Sequence, residues 1–253
     1  MNDPIPTIET KELTIAFGGH IAVNSVSTSF HQGTLTGIVG PNGAGKTTYF
    51  NLISGQYKAS AGELYYRGKN IINYSVAHRS QMGIGRSFQL TNLFPKLSVL
   101  ENVRLAVQGK RGGGYRFFNL IGRDKTLKNE TMSFLEKVEM QHMASTEVSA
   151  LTHGDQRKLE VAILLALEPD VFMFDEPTAG MSLDEAPIIL ELIKKIKQDE
   201  SKTILLVEHK MDVIRELTDR IIVLNNGQLV ADGEPAEVMN APMVKEAYLG
   251  VSE

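Results

Sequence analysis

Three observations predict an α/β fold for this 253-residue chain. Short apolar strands alternate with amphipathic helices over both ends of the sequence, the signature of a largely parallel sheet covered by helices. The stretch from about 90 to 160 is mostly helical and reads as a subdomain inserted into that core. A glycine-rich run lies between a buried strand and a helix, where open α/β sheets place their ligands.

The elements follow in order. Apolar alternation through Ile8–Phe17 and Val26–Phe30 predicts two strands joined by the turn Gly18-Gly19. Thr34–Val39 is apolar enough for a buried strand, and Lys46–Ser54 reads as a helix closed by Gly55. Short strands are expected at Glu63–Tyr66 and Ile84–Phe88. Ser98, with Glu101 three residues on, is a capping box that starts a helix running to about Gln108. A loop with Gly112, Gly113 and Gly114 follows, then a helix from about Asp124 to Glu139. From Asp155 the alternation resumes with a helix to Leu167, strand Val171–Phe174 and the amphipathic helix Asp184–Gln198. Strand Ile204–Val207, a helix over Met211–Leu217 and strand Ile221–Leu224 come next. Asn226-Gly227 is a hairpin turn into Leu229–Ala231. Two short helices, near Pro235–Asn240 and Met243–Leu249, complete the series.

Composition bounds the function. Hydrophobic residues at 42% fill a core, and charged residues at 22% suit an ordinary soluble surface, so disorder is excluded as the main state. A net charge of −4 and a pI near 5.9 argue against a basic protein that coats nucleic acid. The longest apolar stretches, such as Val161–Leu167, fall far short of the roughly 18 residues that span a bilayer. Met1–Thr10 carries acids and prolines where a secretion leader would be apolar, so none is expected. With no cysteine, disulfides and thiolate chemistry are excluded.

The sharpest motif is Gly40-Pro41-Asn42-Gly43-Ala44-Gly45-Lys46-Thr47, with Thr48 next, which fits the pattern G-x-x-x-x-G-K-[ST]. At ordinary residue frequencies, chance yields it in roughly one chain in a hundred of this length. The flanking strand and helix make the case stronger. Glycines let the backbone curl so that N–H groups point at phosphate oxygens, and the helix N-terminus adds partial positive charge. Lys46 supplies a full cation, and the Thr47 hydroxyl is placed to ligate Mg²⁺. The implied ligand is a nucleoside triphosphate. The second motif is Val171–Glu176, in which four apolar residues deliver Asp175 and Glu176 to the C-terminal edge of a strand. Asp175 can hold Mg²⁺ through water, and Glu176 can act as general base on the attacking water. Alone, such a strand would be an ordinary one ending in two solvated acids. The phosphate loop upstream changes that weighting.

The order GPNGAGKT, Gln89, LTHGD at Leu151–Asp155, VFMFDE, AGMSLD at Ala179–Asp184 and His209 resembles the ATPase subunits of ABC transporters. The spacings agree: 43 residues from Lys46 to Gln89, 21 from Gly154 to Asp175 and 34 from Asp175 to His209. FGGHIAVNSVS, RSFQLTNLFPKLSVLENV and the terminal AYLG narrow the resemblance to importers of branched-chain amino acids and related amides such as urea. It covers essentially the whole chain. It implies a single ABC-type P-loop NTPase domain: a mostly parallel core at 1–89 and 160–253 with an N-terminal antiparallel β subdomain, and a helical subdomain at about 90–159 carrying the signature. It implies ATP and Mg²⁺ as ligands, with Phe17 stacking on adenine and Gln89 touching Mg²⁺ and the attacking water. His209 would be the switch histidine on the γ-phosphate, and Asp184 the loop aspartate linking two sites across a dimer. Thr152 and Gly154 of one subunit would complete the ATP site of another. The implied partners are membrane permease subunits, a second ATPase subunit (identical or paralogous) and, indirectly, a solute-binding protein, with no nucleic acid. The implied location is peripheral, on the cytoplasmic face of the inner membrane.

The chain departs from the family at its signature. Where LSGGQ is usual it has Leu151-Thr152-His153-Gly154-Asp155, which keeps a hydroxyl and a glycine but substitutes His153 and Asp155. That bears on a partner's hydrolysis more than on this chain's nucleotide binding. The cations of Lys110–Lys128 could meet anionic headgroups, though a solvated loop is the simpler reading. An ATPase for lipopolysaccharide export is the alternative within the same chemistry. A soluble ABC ATPase acting on nucleic acid or ribosomes is disfavoured, because 253 residues leave room for neither a second cassette nor a long coiled-coil insertion. No N-K-x-D motif supports a GTPase, and Lys46, Asp175 and Glu176 together argue against a non-hydrolysing module.

Overall fold

A computed structural model describes residues 5–87, 93–111, 125–241 and 244. Its elements in chain order begin β1 (Ile8–Phe17), β2 (His20–Phe30), β3 (Leu35–Val39), α1 (Lys46–Ser54), β4 (Ala61–Tyr66), β5 (Lys69–Asn70), α2 (Val76–Gln81) and β6 (Ile84–Arg86). Helices α3 (Val99–Lys110), α4 (Lys125–Lys137) and α5 (His153–Leu167) come next, followed by β7 (Val171–Asp175) and α6 (Ala186–Lys197). The series ends with β8 (Thr203–Val207), α7 (Met211–Leu217), β9 (Arg220–Asn225), β10 (Gln228–Gly233) and α8 (Pro235–Asn240). The chain divides into two compact units. One comprises Met1–Ile84, Asp170–Glu176 and Lys197–Glu253, the other Gly85–Pro169 and Pro177–Ile196.

The strands form two sheets. One is antiparallel, in the order β2-β1-β4-β5, with Phe17 paired to His20 across the Gly18-Gly19 turn. The other runs β10-β9-β3-β8-β7-β6, and its pairings β9–β3, β3–β8 and β8–β7 are parallel. Every residue of β3, β7 and β8 is buried. That is why these segments read as mostly apolar rather than as alternating ones. Register then sets the site. Ile38 pairs with Val207, and Val207 with Asp175, so β3, β8 and β7 end at one level. Gly40, Glu208 and Glu176 each follow one of these ends within two residues.

Helix α1 opens at the glycine-rich loop and closes at Gly55, whose left-handed backbone sends its N–H to the Leu52 carbonyl. The carbonyls of its last turn also meet a buried arginine. Arg79 donates from Nη1 to the carbonyls of Leu52 (2.6 Å) and Ile53 (2.8 Å), from Nε to Tyr74 (3.0 Å) and from Nη2 to Ile72 (2.8 Å). Burial pulls its pKa down to about 10, so it stays charged at neutral pH, where a cation suits a helix C-terminus.

In the second unit, Ser98 caps α3 through the expected box with Glu101. The apolar stripe of α6, which buries Ile189, Leu192, Ile193 and Ile196, has helical spacing.

Some boundaries differ from the sequence expectation. Helix α5 starts at His153 rather than Asp155, because the Thr152 hydroxyl accepts from the Asp155 amide and caps the helix earlier. Helix α6 starts at Ala186, because residues 182–185 are tied into a turn by Ser182 and Glu185; Asp184 therefore lies in the turn. Strand β6 ends at Arg86. The Gly112–Gly114 loop and all but one residue of the expected Met243–Leu249 helix lie outside the described residues.

Arg79→Met keeps the length of the side chain but removes the guanidinium from four buried or half-buried carbonyls, of which Leu52 keeps the Gly55 amide. It is expected to lower stability by about 3 kcal/mol, measured by urea unfolding. A change under about 1 kcal/mol would mean that water replaces the guanidinium at little cost.

Candidate active site

The glycine-rich loop is shaped by backbone pressed against it. A Cβ on Gly40 would lie 2.1 Å from the Leu224 carbonyl oxygen, and one on Gly45, at φ +97°, 2.4 Å from that of Ala22. Neither position admits a side chain. The Ala44 carbonyl accepts from Gly227 N (3.0 Å), which ties the loop to the β9–β10 turn. Gly43 has open space on its Cβ side.

Lys46, the first residue of α1, is buried, and its ammonium donates to the carbonyls of Gly40 (2.6 Å) and Pro41 (2.9 Å). Burial lowers its pKa below that of an ordinary lysine, while the charges of Glu176 and Asp175 oppose that shift. Asp175 ends β7 fully buried. Glu176 follows it in the left-handed region (φ 50°), a costly backbone for glutamate that recurs at functional sites. Its amide is held by the Val207 carbonyl at 2.9 Å. His209 follows β8, with its amide donating to the Glu208 carboxylate (2.7 Å), and its Nε2 lies 2.7 Å from Glu176 Oε1. Residues 33 positions apart thus form one carboxylate–imidazole pair beside the loop. Such a pair can take a proton from a water molecule and hold the carboxylate in place while it does so.

The donor set fits Mg²⁺. The Thr47 hydroxyl and the Asp175 carboxylate are hard oxygen donors, and among the described residues no three His, Cys, Asp or Glu side chains cluster to hold a metal alone. A cation here would share its coordination with phosphate oxygens and water, as Mg²⁺ prefers.

Phe17 is 46% exposed at the end of β1, in ring contact with Tyr57. Gln89 lies outside the described residues. In the second unit, Thr152 caps α5, and Gly154 in its first turn faces Glu185: a Cβ there would lie 2.4 Å from both carboxylate oxygens. Glu185 accepts from the amide (3.1 Å) and hydroxyl (3.0 Å) of Ser182, and Lys158 lies 3.9 Å from it and 3.6 Å from Asp155. Asp184 is exposed in the same turn. Sequence reading does not single out Glu185, Lys158, Tyr57 or Glu208; the Ser182–Glu185 spacing, that of a capping box, is a signal that could have found one of them. Of the cations in Lys110–Lys128, Lys110 pairs with Glu168 and Arg111 with Glu130, while Arg116 and Arg123 lie outside the described residues.

Comparison with known proteins shows the family. The ABC transporter family model matches residues 23–179, a span that holds Gly40–Thr48, Gln89, Thr152, Gly154, Asp175 and Glu176 but not Phe17, Asp184 or His209. The chain is 35% identical over 251 residues to the high-affinity branched-chain amino acid transport ATP-binding protein LivG of Salmonella typhimurium, covering 97% of this chain and 98% of that protein. It is 34% identical over 254 residues to the corresponding BraF of Pseudomonas aeruginosa, with the same coverage. A nucleotide-free ATP-binding cassette from an ABC transporter superposes with a TM-score of 0.82 at 28% identity, over 98% of this chain and 99% of that one. A dimeric cassette in a post-hydrolysis state, bound to ADP and Pi, gives 0.79 at 26% identity over 90% and 98%.

Glu176→Gln keeps shape and hydrogen bonding but removes the base. ATP affinity is expected to stay within about twofold, with turnover falling by about 10²- to 10⁴-fold, read by calorimetry and phosphate release. Wild-type turnover in this variant would remove Glu176 from the chemistry.

Proposed function

The chain belongs to the ABC transporter family as one of its ATP-hydrolysing subunits, and on that premise we propose that it drives uptake of branched-chain amino acids or related small polar solutes. The contact between Glu176 and His209 beside the phosphate loop carries the hydrolytic part of this reading. The names of the relatives matched along nearly the whole chain support the solute class.

In this mechanism the loop amides from Gly40 to Thr48 and the Lys46 ammonium hold the β- and γ-phosphates. Phe17 stacks on adenine. Glu176 draws the proton from the attacking water, and His209 holds the Glu176 carboxylate and meets the γ-phosphate. Thr47, Asp175 and Gln89 are the side chains that would hold Mg²⁺, which when bound neutralises phosphate charge. Two subunits pair so that Thr152 and Gly154 of one face the nucleotide of the other, with Asp184 linking the two sites. The N-terminus of α5 favours an anion there. No described helix is long and apolar enough to cross a membrane. On the names of the transport proteins it resembles, we place the protein at the inner membrane's cytoplasmic face, bound to permease subunits, with a solute-binding protein acting from the other side.

Reconstitution with its permeases in proteoliposomes tests this reading. ATP hydrolysis should rise when the binding protein carries leucine, isoleucine or valine, and labelled solute should accumulate. Gly154→Asp should leave ATP affinity of the isolated chain unchanged and cut the stimulated rate by about a hundredfold. Hydrolysis indifferent to every such solute would overturn the assigned substrate class, and full activity in Gly154→Asp would overturn the shared site.

A further inference from the structure

Two large aromatic rings of the first unit meet near its surface. Phe17 is 46% exposed and Tyr57 40%, and their centroids lie 5.4 Å apart with the planes at 74°. The buried apolar cluster beneath is filled by other rings, Phe30, Tyr49, Phe50 and Tyr66 among them, and includes neither Phe17 nor Tyr57. Both segments lead to the phosphate loop. Phe17 ends β1; across the turn, Ile21 pairs with Ala16 and is itself 46% exposed. The next residue, Ala22, presses its carbonyl on Gly45. Tyr57 comes after α1, the helix that begins with Lys46, and its amide donates back to the Asn51 carbonyl of that helix (3.1 Å). The ring pair is therefore tied at both roots to backbone that shapes the phosphate site.

The edge-to-face contact fixes the plane of one ring against the other and leaves Phe17 at least one uncovered face. From this geometry we infer that Tyr57 is a positioning residue for the nucleotide base: it holds the Phe17 ring in the plane on which the purine stacks. The inference rests on the proposed role of Phe17 as the base platform. It explains why the loop after α1 brings a half-exposed tyrosine to the end of β1, a placement that no motif of the sequence announces.

The test uses the full chain as Tyr57→Ala, Tyr57→Phe, Phe17→Ala and Phe17→Ala/Tyr57→Ala, with ATP affinity by calorimetry and KM and kcat by phosphate release. Tyr57→Ala should weaken ATP binding about three- to tenfold and raise KM in step, with kcat unchanged. Tyr57→Phe keeps the ring and should restore both. In the Phe17→Ala background, Tyr57→Ala should add nothing. If Phe17→Ala weakens ATP and Tyr57→Ala does not, Tyr57 has no such role while the Phe17 platform stands. If Phe17→Ala itself leaves ATP affinity unchanged, the platform fails first. A fall in kcat with Tyr57→Ala, or an equal loss in the Phe17→Ala background, would instead mean distortion of α1 and overturn the inference.

Discussion

Everything in the site depends on one steric constraint, the pressing of two backbone carbonyls against the phosphate loop. Leu224 at the end of β9 closes on Gly40, and Ala22 on β2 closes on Gly45, each too near for any Cβ. The β9–β10 turn adds a bond from Gly227 N to Ala44 and one from Asn24 N to the Gly227 carbonyl. The loop is thus a cast of its neighbours as much as a product of its own glycines. Its amides can be aimed at phosphates before any phosphate arrives, which saves the cost of ordering them on binding.

The second constraint is register. Because β3, β8 and β7 are parallel neighbours paired at one level, the loop, the Glu208-His209 pair and the Asp175-Glu176 pair emerge side by side. Parallel strands need buried faces, so the sequence devotes five consecutive buried positions to each and leaves chemistry to the residue that follows. Glu176 takes the left-handed backbone at that point, and the Val207 carbonyl holds it there. The strain is met by a neighbouring strand, which is how a rigid core supports an unfavourable residue at its edge.

How far this was legible in the sequence follows from the range of the interactions. The loop, the acidic strand end, the capping box at Ser98 and Glu101 and the Asn226-Gly227 turn are local patterns, and each stands where it was read. The turn at Ser182–Glu185 shows the limit: the pattern AGMSLD drew attention to Asp184, while the carboxylate facing Gly154 belongs to Glu185. Arg79 was invisible for the same reason, since its carbonyl partners Leu52 and Ile53 lie 27 and 26 residues away. Helix α2 escaped because six residues are too few to show a period, although Ser75 caps it.

The central claim, that carbonyl pressure on the loop makes the phosphate site, is tested most directly by calorimetric titration of Gly45→Ala with ATP. A methyl group at Gly45 must displace Ala22 or distort the loop. ATP affinity is expected to fall about tenfold or more while the folded chain keeps its cooperative unfolding transition. An affinity within about twofold of wild type would contradict it.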